Sequence, residues 1–210
     1  MKLRHCWFLL ILLPCFAFAG PNDAGAFKAG VEYDVMGKPQ PTQTGDKVEV
    51  LELFWYGCPH CYKLEPHIEH WLENKPANAT YIRLPAVFSA QWMVHAKAFY
   101  AAEAMGVLEK VHKPLFDALH AQKRKLYTKD TVADFFATLG VDRAEFIKTY
   151  SSFAVTTKAN RAKQMTRRYG ISGVPALIVN GKYRTSAHKA GSETKLMQVI
   201  NALVAKESAK

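Results

Sequence analysis

Cysteine is scarce in this sequence, with four in 210 residues. Two of them, Cys6 and Cys15, fall in an N-terminal stretch that reads as an export signal. Lys2 and Arg4 form a basic start, an almost continuous apolar run follows over 7–18, and Ala17-Phe18-Ala19 is a small-x-small cleavage site. A mature chain beginning near Gly20 keeps only Cys58 and Cys61. Two cysteines cannot staple about 190 residues in the way small secreted domains are stapled, so a disulfide scaffold is excluded. The pair is there for chemistry or for a metal.

Long hydrophobic runs are also missing. The N-terminal run of roughly a dozen residues falls short of the ~20 needed to cross a bilayer, which favours a cleaved signal (1–19) over an anchor. Pro14 stands before Cys15, where a lipoprotein signal carries a small residue, so a lipid anchor is disfavoured. No second stretch of spanning length follows, and the mature protein is expected to be soluble. Repeats and low-complexity tracts are absent. Acidic residues are outnumbered, 18 against 28 basic ones, and loss of Lys2 and Arg4 leaves a net +8. Arg161, Lys163, Arg167 and Arg168 cluster on one predicted helix, but no recognition motif accompanies them, so they read as a solvated face and nucleic acid is not expected as a partner.

Hydrophobic periodicity divides the mature chain into a β-rich frame interrupted by a helical block. A weak strand is expected over 30–34 and a strong buried one over Val48–Phe54, followed by a helix over 59–75 with Pro66 inside it and a third strand over 80–84. Helices are expected over 92–105, 108–121, 131–139, 143–150 and 155–169. Asn180-Gly181 marks a tight hairpin between strands over Ala176–Val179 and 182–184, because both central residues of the matching turn need positive φ. A last amphipathic helix is expected over 194–205.

The cysteine pair sits where the buried strand meets its helix. A helix N-terminus exposes unpaired amides and the positive end of the dipole, and both stabilise a thiolate. Pro59 suits the first helical position, where a missing amide hydrogen costs nothing. Cys58 is then the open, attacking thiolate and Cys61, one turn in, the buried resolving thiol. His60 between them adds to the stabilisation of the Cys58 thiolate, which favours the reduced protein and makes the disulfide form a better oxidant. A zinc site using His67 and His70 fails on distance, since Cys58 and His70 would lie about 18 Å apart along a helix. No metal and no cofactor are expected. Glu52, in the apolar strand, has two readings that stay open: a carboxylate on an exposed face, or a buried acid near Cys61 with a raised pKa that shuttles a proton. For Val174-Pro175 a trans peptide is the default, whereas a cis bond would turn the Val174 backbone toward the cysteines.

The passage LELFWYGCPHCYKLEP, the helical block after the third strand, and GVPALIVNGKY together resemble the DsbA family of bacterial periplasmic thiol:disulfide oxidants. The resemblance covers nearly the whole mature chain. It implies an α/β thioredoxin fold with an inserted all-helical subdomain, divided as 20–88 plus 166–210 for the thioredoxin-like domain and 89–165 for the insertion. It also implies that Cys58 is the nucleophile, Cys61 its partner, Pro175 a cis-proline beside the disulfide, Val174 a substrate contact and Glu52 a buried acid. The implied activity is donation of the Cys58–Cys61 disulfide to unfolded exported proteins with free cysteines in the periplasm. Reoxidation would come from a quinone-linked inner-membrane partner of the DsbB type. Only about 25 residues lie between the cleavage site and the first buried strand, leaving no room for the dimerisation segment of the isomerases, so a monomer is expected. In two respects the sequence departs from the family: the lysine that pairs with the buried acid is missing near Thr80, with Arg83 the candidate substitute, and Pro66 within the first helix is more like the kinked helix of thioredoxin. The rival readings are a disulfide isomerase or reductase of the same fold and a non-catalytic peptide-binding chaperone.

Overall fold

The computed structural model describes residues 27–209; the expected signal peptide, 1–19, lies outside them. The architecture grows from one strand, β2 (Val48–Phe54), whose seven residues are all buried. Side chains alternate along a strand, so a strand buried throughout must be covered on both faces. Val48 and Val50 pack with Leu64, Ile68 and Trp71 of α1 (Pro59–Asn74) and with Leu196, Val199, Ile200 and Leu203 of α8 (Glu193–Ser208). Leu51 and Leu53 pack on the other face against Ala162, Met165 and the following Tyr169 of α6 (Phe153–Arg168). Each fully buried leucine or isoleucine on these faces contributes about 1.5–3 kcal/mol relative to exposure.

Around β2 the sheet runs in the order β1-β5-β4-β2-β3, with β1 at Asp34–Val35, β3 at Ala79–Pro85, β4 at Ala176–Val179 and β5 at Tyr183–Thr185. β2 and β3 are parallel, which requires a crossover, and α1 supplies it. The other pairings are antiparallel. Trp71 Nε1 donates to Asn201 Oδ1 at 2.8 Å and ties α1 to α8.

The helical block follows β3: α2 (Ala90–Ala104), α3 (Leu108–His120), α4 (Lys129–Thr138) and α5 (Arg143–Tyr150), before α6 returns to the sheet. Its core of Phe99, Leu115, Phe116, Phe136 and Phe146 is continuous with Phe54, Tyr56, Cys58 and Cys61. The cysteines therefore sit at the seam between sheet and helical block. The seam expected at 165/166 falls inside α6.

Three expectations need correction. The first strand is not 30–34 but only Asp34–Val35, because residues 30–33 form a turn in which the Gly30 amide donates to the Tyr33 carbonyl at 2.7 Å and Gly30 takes φ +84°. β5 starts at Tyr183 rather than 182, since the Lys182 amide closes the hairpin on the Val179 carbonyl at 3.0 Å over Asn180 (φ +50°) and Gly181 (φ +64°). A short helix, α7 (Ala187–Ala190), was not expected at all; Ser186 caps it and Gly191 ends it at φ +99°. The basic residues Arg161, Lys163, Arg167 and Arg168 are exposed on α6.

Candidate active site

The chain leaves the end of β2 and turns through Trp55, Tyr56 and Gly57 into α1. Gly57 is required there, because a Cβ would lie 2.3 Å from the Trp55 ring. The Cys58 amide donates to the Trp55 carbonyl at 2.9 Å, and Cys58 becomes the N-cap of α1 with Pro59 directly after it. At an N-cap a side-chain oxygen ordinarily accepts from the amides two and three residues on. Here sulfur occupies that place. It makes no capping bond of ordinary geometry, yet the amides of Cys61 and His60 face it. The Cys58 thiol is thereby lowered to about 6, chiefly by the Cys61 thiol donating to it, against the opposing effect of burial. The two amides add to this, and the charge of His60 contributes less than they do. Cys61 is fully buried, and desolvation drives its thiol well above the ordinary value. Both sulfurs are free thiols.

The second wall comes from far along the chain. Val174-Pro175 is a cis peptide, so the cis alternative holds and the trans default does not. The Val174 carbonyl lies 3.4 Å from Cys58 Sγ. His60 and Pro59 are exposed at the rim, Val174 is half-buried and Pro175 buried. An open groove of about 980 Å³ starts at this wall and takes in His60, Lys63, Val174 and Pro175.

Beneath the cysteines lies a buried charged cluster. Glu52 is fully buried, so the exposed-face reading is excluded. The parallel register sets Arg83 opposite Glu52 and Thr80 opposite Glu49, so the cation beside the acid is Arg83, the candidate substitute for the missing lysine. Arg83 Nη2 donates to Glu65 Oε2 at 2.9 Å, while its Nε is 3.8 Å from Glu52 Oε2. The Tyr81 hydroxyl donates to the same Glu52 oxygen. Glu65 Oε1 faces His112 Nε2 at 3.4 Å, and the Tyr56 hydroxyl meets His112 Nδ1 at 2.6 Å. If Tyr56 donates, the neutral imidazole carries its proton on Nε2, toward Glu65.

One guanidinium thus serves two carboxylates, and it bonds the second. Burial favours the neutral form of both, but His112 and Arg83 overcome it at Glu65 and hold that carboxyl below the usual range. At Glu52 burial prevails: the carboxyl is raised to about 7, and the neighbouring Glu65 charge adds to the shift. Glu52 Oε1 makes no hydrogen bond. An acid poised near neutrality below a buried thiol is suited to moving one proton. Tyr81, Glu65 and His112 did not figure among the expected site residues. Glu65 did leave a signal, a carboxylate beside Leu64 on the inward face of α1. His112 left a weaker one, a histidine among the apolar positions of α3. Among the described residues no group of three or more His, Cys, Asp or Glu side chains is placed to hold a metal, and His67 and His70 lie half-buried and exposed along α1.

A mixed sheet that delivers a Cys-x-x-Cys to a helix N-terminus opposite a cis-proline defines a thioredoxin-like dithiol protein. The DSBA-like thioredoxin domain matches residues 75–200. Thiol:disulfide interchange protein DsbA of Pseudomonas aeruginosa is 41% identical over 201 residues, 96% of this chain and 94% of that one. The crystal structure of Pseudomonas aeruginosa DsbA superposes with a TM-score of 0.84 at 43% identity, covering 89% of this chain and 97% of that one. For DsbA from Xylella fastidiosa the TM-score is 0.81 at 27% identity, with 87% and 98% covered. The chain belongs to the DsbA family of thiol:disulfide oxidoreductases and has its thioredoxin-like fold with a helical insertion.

Proposed function

We propose that this protein works in the periplasm as a dithiol oxidant that passes its Cys58–Cys61 disulfide to newly exported, unfolded proteins. The observation that carries the reading is the asymmetry of the two sulfurs: Cys58, buried but for 8% of its surface, caps α1 against the Val174 carbonyl, while Cys61 is fully buried behind it. A substrate thiolate attacks Cys58 Sγ, and the electron pair of the broken disulfide leaves on Cys61. That buried sulfur resists charge and takes a proton, which Glu52 holds near neutral pH. The second substrate thiolate then attacks the substrate's own sulfur in the mixed disulfide. Cys58 leaves as a thiolate, which the helix amides and Cys61 stabilise. The substrate is oxidised by two electrons and the cysteine pair reduced by two. Allowing for solvent screening at the helix end, this thiolate stabilisation favours the reduced form by roughly 1 kcal/mol at pH 7, or about 20 mV of oxidising strength.

Val174 and Pro175 supply the edge against which the substrate backbone settles. A quinone-linked inner-membrane protein of the DsbB type restores the disulfide, and the protein acts as a monomer after removal of residues 1–19. No helix among the described residues is long and apolar enough to cross a membrane. Oxidation of a reduced test protein tests the assignment. Cys58→Ser is expected to abolish it, and so is Cys61→Ser, since a lone cysteine holds no disulfide to donate; full activity in Cys58→Ser overturns the reading.

A further inference from the structure

Beyond the cysteines α1 carries a second pattern. His60, Lys63, His67 and His70 stand at i, i+3, i+7 and i+10, which sets four basic side chains in one stripe down the helix. His60 and Lys63 line the groove that begins at Val174-Pro175. Across the groove, in the first turn of α8, Glu193 holds Lys63 Nζ at 2.9 Å. The groove's other carboxylate, Asp34, is occupied twice, by Lys189 at 2.8 Å and Arg184 at 3.5 Å. His70 turns to Glu73, 3.6 Å away.

Lys63 is the loosest member of this set. Its side chain is 67% exposed, whereas that of Glu193 is 20% exposed. Glu193 does not depend on Lys63 alone, since it lies at the amino end of α8, where its own amide and the helix dipole favour the carboxylate. An incoming carboxylate can therefore draw Lys63 away without stranding Glu193, because an ion pair with so exposed a member exchanges readily.

We propose that Lys63 is a specificity-determining residue that selects reduced substrate segments carrying Asp or Glu two to four residues from the reacting cysteine. This rests on the reading that Cys58 receives substrate thiolates. The spacing follows from helix geometry. Lys63 is five residues past Cys58; at ~1.5 Å per residue that is about 7–8 Å along α1, or roughly two residues of extended peptide at ~3.3 Å each, and the reach of the lysine side chain extends the range. The Val174 carbonyl, 3.4 Å from Cys58 Sγ, fixes where the count begins.

The test uses the oxidised mature protein and two dithiol peptides that differ only in Glu or Gln three residues from the reacting cysteine. Each rate is normalised to the peptide's own reaction with glutathione disulfide, which removes the effect of the glutamate on the peptide thiol. The readout is the ratio of kcat/KM, Glu peptide over Gln peptide. A wild-type ratio of about three to five is expected at low ionic strength, in keeping with a single exposed charge contact. It should approach one in about 1 M salt. Lys63→Met brings the ratio to one, Lys63→Glu below one, and Glu193→Gln raises it above wild type. A wild-type ratio of one, or a ratio that survives Lys63→Met, overturns the proposal. Failure of the wild type to oxidise either peptide overturns the oxidant reading itself, and the proposal falls with it.

Discussion

The two sulfurs stand one helical turn apart and are governed by different physics. Cys58 is tuned by what is adjacent in sequence: the Cys61 thiol, the amides of Cys61 and His60, and the His60 charge. The ground beneath Cys61 is assembled from three elements, with Glu52 on β2, Tyr81 and Arg83 on β3, and Glu65 on the far side of α1. A fourth, α3, adds His112. The first environment is local, partly wet and made of dipoles. The second is dry and made of full charges, so each of its members depends on the others.

This contrast orders the expected effects of mutation. The largest belongs to Arg83, whose replacement by Met strands two buried carboxylates. Breaking a buried pair in this way is expected to cost about 3 kcal/mol of stability, read from the denaturation midpoint at pH 7. Much of it should return at pH 5, where the carboxyls protonate; an unchanged midpoint would show that the cluster is not electrostatically coupled.

An effect of similar size and opposite sign is expected at Glu52. Burial raises its folded carboxyl from 4.5 to about 7, so the folded protein keeps a proton that the unfolded chain has released. The associated stability is complete below about pH 4.5 and is lost as pH rises through about 7. Glu52→Gln cannot ionise, so at pH 8 it should be more stable than wild type by about 3 kcal/mol, with the gain vanishing near pH 4. The same variant should slow turnover by removing the proton donor of Cys61. Equal pH profiles for variant and wild type would remove Glu52 from that role.

The smallest effect lies at the local end. Alkylation of Cys58 in the reduced protein should follow a midpoint near pH 6. His60→Ala leaves the Cys61 thiol and both amides in place, so the midpoint should rise by less than about one unit. A rise of two units or more would make the imidazole, and not the helix end, the main source of thiolate stability.

The legible parts of the fold follow the same division. The range expected for β2 was Val48–Phe54, and the strand has those bounds because it is apolar throughout. The ends of α2–α6 fell within two residues of expectation, since helix periodicity is a property of neighbouring residues. The 30–34 segment looked like a strand but closed into a turn around Gly30, a contest between local options that composition does not resolve. α7 is four residues long and too short to leave a period. Arg83 could be named as a candidate cation for Glu52, but that it stands opposite that residue, while Thr80 stands opposite Glu49, is a matter of register, which is set by pairing between strands and is invisible along one of them.

From the sequence by itself came the position of the cysteine pair at a strand-to-helix junction, with Cys58 at the helix end and Cys61 one turn inside it. Spacing within one turn of helix and the chemistry of its free amides suffice for that. The expectation of an open Cys58 was too strong, since both cysteines are buried and Cys58 keeps only 8% of its surface exposed. The cis bond at Val174-Pro175 against Cys58, the choice of Glu65 over Glu52 as Arg83's hydrogen-bonded partner, and the meeting of Lys63 with Glu193 all required the chain to fold first. Each joins residues from separate elements, and electrostatic energy depends on distance and burial, which a linear sequence does not contain.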